Sequence, residues 1–237
     1  MPFPTLDNTP IKEIIFSISY DGIVDKSCFD KFVNLDFVKE KFNNIKPSET
    51  NSIQITNEGL KHSKDNTGFH LKNENEVLQM RMGSISYHYL NTYRNFDKIL
   101  DSLITYWEAF DQNTKDNLII SEISVRYINL IEIDEDNPAS HLVQLYPKQS
   151  DDRKIFNFQN LVSFSYSKHP EYIINVVSTK PKNEFVLLDI SVNYKLLKGL
   201  NKEENLKDRF KPLQVLKNKA FFDSITAKAL IKYMKLK

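Results

Sequence analysis

The sequence predicts an α+β protein, with antiparallel sheets in two similar-sized halves and helices packed on one face of each. Three observations lead there. Two segments, Glu13–Tyr20 and Leu118–Ile133, alternate apolar and polar residues with period two, as half-buried strands do. Phe96–Phe110 repeats its apolar residues at i, i+3, i+4 and i+7, the stripe of an amphipathic helix. Beyond a polar stretch holding Pro138 and Pro147, a second series of strands is again followed by helices. The expected division is an N-terminal half, 1–134, and a C-terminal half, 158–237, joined by 135–157 within a single domain.

In the first strand Ile14, Phe16, Ile18 and Tyr20 share one face. Cys28–Phe42 places Phe29, Phe32, Val33 and Phe37 near helical spacing, with an interruption at Asn34-Leu35-Asp36. A short strand at Ser52–Thr56 and a polar loop over Asn57–Asn66 are expected next. Across Val77–Leu90 the apolar parity changes, from Leu78, Met80 and Met82 to Ile85, Tyr87 and Tyr89. One inserted residue swaps the face of every later side chain, so this reads as one long strand bent by a β-bulge at Gly83-Ser84. The helix from Phe96 takes Asn95 as its N-cap and turns Ile99, Leu100, Leu103, Ile104, Trp107 and Phe110 inward. The strand after it turns Ile119, Ile123, Val125, Tyr127, Ile131 and Ile133 inward. His141–Tyr146 reads as a helical turn within the connection. Strands at Leu161–Ser167, Tyr172–Ser178 and Phe185–Leu196 are separated by reversals at Lys168-His169-Pro170 and Thr179–Asn183. Two helices close the chain. Glu203–Lys219 contains Pro212, which predicts a kink or restart; Asp223–Tyr233 follows, with Phe222, Ile225, Ala229 and Tyr233 apolar.

Composition bounds the function classes. At 237 residues, 41% hydrophobic and 27% charged, the chain can bury a core without staples. One cysteine, Cys28, forms no intramolecular disulfide, and the N-terminus has neither the basic nor the apolar region of a signal peptide. Without an apolar run of membrane-spanning length, a cytoplasmic location is expected. The net charge of +1 hides an asymmetry: 195–237 carries +8 and 1–194 carries −7. A basic end on an acidic body suits nucleic acid or an acidic protein surface, and it also suits a merely solvated pair of helices.

Signatures of catalysis are absent from the sequence. The five histidines, His62, His70, His88, His141 and His169, lack the i, i+4 spacing of paired metal ligands, so no metal or cofactor is expected. The five glycines are too dispersed for a phosphate-binding loop. Cys28 near a helix start admits a reactive thiol, although a structural one is the simpler reading. Glu122 and Arg126 share a strand face and suggest an ion pair. Asp189 reads as a solvated or paired sheet carboxylate.

Two features stand out. Strand alternation places Asn129 among core residues, where its amide needs partners; with Tyr87 and Arg126 it outlines either a structural polar group or a pocket. Lys228, Lys232 and Lys235 recur at i, i+4, i+7 on the last helix, with Lys237 beyond, a stripe that can track phosphates or an acidic partner. With 27 Lys and 5 Arg, nucleic-acid contact there would position rather than read sequence.

Asn8-Thr9-Pro10-Ile11-Lys12-Glu13-Ile14-Ile15-Phe16 resembles the N-A-P-I-x-E-x-x-F signature of a sporadically distributed bacterial family of about this length. Arg126-Tyr127-Ile128-Asn129 is similar to that family's central R-Y-I-N strand, and Phe221-Phe222-Asp223-Ser224-Ile225-Thr226 to its F-x-x-S-I-T pattern. The matches fall in the family's order. Thr9 departs from the usual small apolar residue, and Leu130-Ile131 replaces R-I. The family carries no assigned catalytic residues, and its patchy distribution resembles that of mobile defence genes, including CRISPR-associated accessory proteins. The leading expectation is a non-catalytic, homodimeric accessory subunit that binds a larger partner in bacterial defence, such as an RNA-guided nuclease. Two readings stay open beside it: an enzyme or small-ligand binder with a pocket between the halves, and an antitoxin-like regulator of a toxic partner.

Overall fold

Alternation in β1 (Ile11–Asp21) buries Ile14, Phe16, Ile18 and Tyr20, as its period requires, and makes this strand the middle of one large antiparallel sheet. The computed structural model describes residues 3–4, 6, 8–56, 59–90, 95–114, 118–133, 159–182, 185–200 and 205–234. Among them are nine strands in one sheet and five helices. After β1 come α1 (Lys26–Val33), α2 (Asp36–Lys41), β2 (Asn44–Thr56), β3 (Gly59–Lys72), β4 (Glu76–Arg81), β5 (Ser84–Tyr89) and α3 (Phe96–Gln112). The chain continues with β6 (Ile119–Glu132), β7 (Gln159–Tyr166), β8 (His169–Lys182), β9 (Phe185–Leu200), α4 (Leu206–Ser224) and α5 (Ala227–Ile231). The strand order is β2-β3-β4-β5-β1-β6-β9-β8-β7.

The inner face of the sheet carries the core. Phe16 meets Phe96 of α3 with ring centroids 5.0 Å apart and Phe210 of α4 at 5.8 Å. Tyr20 lies 5.5 Å from Trp107, and Tyr87 lies 5.7 Å from Tyr106. Asn95 caps α3 as expected, accepting from Asp97 N at 2.9 Å. Asp25, Asn205 and Thr226 cap α1, α4 and α5 in the same way.

Several local expectations are corrected. Val77–Leu90 is a hairpin, not a bent strand: β4 and β5 pair from Arg81↔Ser84 to Glu76↔Tyr89 around Met82-Gly83, with Gly83 at φ +80°. Partners whose numbers sum to an odd value have opposite parity, so a tight hairpin produces the same parity change as a bulge. Gly59–Asn66 is not a loop but part of β3, paired along its length with β2, which extends well beyond Ser52–Thr56, while Asn57 and Glu58 of the expected loop lie outside the described residues. Ile119 is exposed and Ile120 buried, because the ladder shifts register around Ser121 and brings Ile120 opposite Tyr20. Pro212 neither ends nor restarts α4, which runs on to Ser224, and the break falls at Ile225-Thr226. The last helix is thus five residues long. His141–Tyr146 and the connection around it lie outside the described residues. No helix among the described residues is long and apolar enough to cross a membrane.

Candidate functional site

The outer face of the sheet, over the junction of β5, β1, β6 and β9, forms a groove of about 410 Å³. Strand registers build it row by row. His88, Ile15, Arg126 and Ser191 stand side by side across four strands, and Ser86, Ser17, Ser124 and Asn193 form the next row. These are the residues that alternate with the core-facing ones, so the groove is polar because the opposite face is apolar.

Its charges are paired within the groove. Arg126 Nε donates to both carboxylate oxygens of Asp189, at 2.9 and 3.0 Å, and Nη2 to Oδ2 at 2.5 Å. The Arg126 side chain is half exposed, whereas Asp189 is only 7% exposed. Hydrogen bonding to Asp189, followed by the charges of Asp189 and Glu13, holds the guanidinium pKa above its ordinary value despite partial burial. The expected Glu122–Arg126 pair does not form the contact: residues four apart in a strand stand roughly 13 Å from each other, and Arg126 turns across the ladder instead.

Glu13 Oε1 lies 2.6 Å from His88 Nδ1, and His88 Nε2 lies 3.2 Å from Ser86 Oγ. A carboxylate only accepts, so Nδ1 carries the proton; in neutral imidazole Nε2 is then an acceptor for the serine hydroxyl. Sequence reasoning missed this array. Ser86 and His88, two apart in a strand, necessarily share a face, but Glu13 reaches them only through the β1–β5 register.

The three residues expected to outline one pocket do not converge. Arg126 faces the groove, whereas Tyr87 and Asn129 point to the inner face at 1% and 2% exposure. Burial, then the charge of Glu76, pushes the Tyr87 phenol pKa up. Asn129 Nδ2 donates to Leu188 O at 3.0 Å and Tyr127 O at 3.2 Å, so its amide serves the β6–β9 backbone. Of the basic stripe, Lys228 and Lys232 are exposed, and Lys232 Nζ lies 3.7 Å from Glu132. Lys235 and Lys237 lie outside the described residues. No known family model matches this chain, and no curated protein shows significant similarity to it.

Proposed function

We propose that the chain is a non-catalytic, homodimeric accessory subunit that seats a larger partner on the outer face of its sheet. The observation that carries this reading is the groove itself. Arg126 and Asp189 neutralise each other and the Glu13 carboxylate is held by His88 Nδ1, which leaves the hydroxyls of Ser17 and Ser124 to hydrogen-bond a polar partner segment. The chain is read as two halves, 1–134 and 158–237, meeting at the β6–β9 ladder, each with its helices on the inner face. In support, the strands of the first half, β2-β3-β4-β5-β1-β6, and those of the second, β9-β8-β7, each occupy one unbroken stretch of the sheet.

A second copy fits at β7. Among the described residues β7 ends the sheet and exposes Leu161 and Val162, and an antiparallel strand edge is self-complementary across a twofold axis. The setting in bacterial defence, with an RNA-guided CRISPR nuclease as partner, rests on the three ordered motifs. Lys228, Lys232, Lys235 and Lys237 supply salt-sensitive contact to that partner or its nucleic acid.

Capture of the tagged protein from its host, with light scattering and mass spectrometry, tests the reading. A dimer that becomes monomeric on Leu161→Lys, together with a stoichiometric nuclease lost on Ser124→Arg, is expected. Undiminished capture by a folded Ser124→Arg variant removes the groove as the seat. Charge reversal of Lys228, Lys232 and Lys235 should weaken capture and flatten its salt dependence.

One observation favours an enzyme instead, namely the Glu13–His88–Ser86 array. In that reading His88 Nε2 takes the Ser86 proton as Oγ attacks an ester carbonyl, then returns it to the departing alkoxide, and water releases the acyl group. A fluorophosphonate probe decides between them. Stoichiometric labelling at Ser86, lost in His88→Gln, would replace the accessory reading.

A further inference from the structure

Lys217 sits in α4 at 7% exposure, and among the described residues no carboxylate pairs with it. Its Nζ lies 3.6 Å from the centroid of the Tyr127 ring and donates to Asn218 Oδ1 at 2.6 Å. A ring face and one amide oxygen replace the water around an ammonium incompletely. Lys217 also lines a cavity of about 330 Å³, a size typical of small-molecule sites. Phe221 and Phe222 form one wall, with Phe3 stacked on Phe222 at 5.3 Å between centroids. Ile11 and Asn129 form another. The three sequence segments singled out above, around Pro10, Asn129 and Phe221, thus close on the same space, far from one another in the chain and on the opposite side of the sheet from the groove.

We propose that this cavity binds a small organic carboxylate with an apolar body, the carboxylate pairing with Lys217 and the body lying against Phe3, Phe221 and Phe222. The cavity offers one cationic side chain among apolar walls, so an anionic head on an apolar body satisfies both features together. A neutral ligand leaves the ammonium uncompensated, and a cationic one adds a like charge in a poorly hydrated space. Burial pulls the Lys217 pKa down to about 7. The groups packed against it are Tyr127 from β6 and Asn218 from its own helix, with Asn129 and Ile11 in the wall; no other charged side chain among the described residues faces it. Binding an anion must therefore reprotonate the amine above neutral pH. Affinity is greatest below pH 7 and falls about tenfold for each pH unit above it, because each unit removes a further tenfold of the binding-competent ammonium.

Calorimetric titration of the full chain with 3-phenylpropionate, 3-phenylpropan-1-ol and 3-phenylpropylamine tests this, at pH 6.5 and 8.5 in two buffers of different ionisation enthalpy. At pH 6.5 the acid should bind at least tenfold tighter than the alcohol and lose that advantage in Lys217→Met, and at pH 8.5 its binding should take up close to one proton. In wild-type protein labelled at the lysine ε-carbon, one resonance should move with the acid and not with the alcohol, a readout that stands even if the variant fails to fold. Equal affinity for acid and alcohol at pH 6.5, no binding by any of the three, or binding without proton uptake at pH 8.5 would overturn the proposal.

Discussion

The Arg126–Asp189 pair gives the sharpest energetic test of how the groove is held. Its two members have unequal surroundings: the carboxylate is 7% exposed, while half of the arginine side chain meets solvent. Truncating Arg126 leaves a nearly buried carboxylate without its three short contacts, for which a cost of about 3 kcal/mol is expected, the lower end for breaking a buried pair. Truncating Asp189 frees a guanidinium that can rehydrate, so the cost falls to about 1 kcal/mol. Removing both leaves no orphaned charge, and the double variant should lie close to Asp189→Ala. The coupling is then about 2 to 3 kcal/mol, well above that of a surface pair. Urea unfolding of the three alanine variants measures it. Fluorescence of Trp107, the single tryptophan and 7% exposed against Tyr20, reports the transition, and an unchanged m-value secures the comparison. Equal costs for the two single variants, or a coupling under about 0.5 kcal/mol, would refute the argument, because the pair would then behave as two solvated charges.

Other perturbations act on the scaffold. Gly68→Ala should unfold the β2–β4 region or cost several kcal/mol, since Gly68 has φ +153° and an added Cβ would lie 1.9 Å from Met80 O; circular dichroism and urea titration check this. Phe16→Ala empties the space between Phe96 and Phe210 at a fully buried site, for about 3 to 5 kcal/mol in the same urea assay. Lys217→Met should stabilise the protein, and more so at pH 6 than at pH 10. A lysine whose folded pKa lies near 7, below its unfolded value, costs stability progressively as pH falls from about 10.5 to 7. Thermal melts across that range should show the gap between variant and wild type widening toward acid.

What the sequence disclosed follows from what each element needs. β1, β6 and α3 bury one face against the core, so their apolar period is strict and readable. β2 and β3 are joined along a backbone ladder from Asn44↔Lys72 to Thr56↔Gly59, and a ladder needs no particular side chains; segments such as Gly59–Asn66 therefore carry no strand signal. The hairpin at Met82-Gly83 was legible in parity and misread in cause. For the groove, one strand suffices to show that Arg126 faces away from Tyr127, but its partner Asp189 is set by the β6–β9 register, 63 residues away. Lys217 gave no signal at all. Its burial depends on α4 lying against Tyr127, and a lysine between Leu216 and Asn218 looks like any solvated helix position.

The bulge at Lys12 explains how a lysine-rich chain keeps the wall near Lys217 apolar. Asn129 points to the inner face, and strict pairing would set Lys12 opposite it; instead the ladder passes from Glu13↔Ile128 to Ile11↔Asn129, leaving Lys12 exposed as the extra residue. A second ammonium on this wall would stand in a space where the first is already poorly solvated, at a cost of several kcal/mol. Deleting Lys12 should consequently be mild. It removes the extra residue, lets Ile11 follow Glu13 in unbroken alternation opposite Asn129, and spares the bond from Leu130 N to Pro10 O at 2.9 Å. A change within about 1 kcal/mol is expected, the range of a substitution that disturbs no core packing. Ile11→Lys keeps the bulge and chain length but brings a lysine to the inner face, and should cost about 3 kcal/mol or more. The two variants separate the identity of the inward side chain from the bulge itself. If the deletion proves the costlier of the two in urea, the bulge is needed for its backbone shape, and its role in excluding a lysine from the wall is disproved.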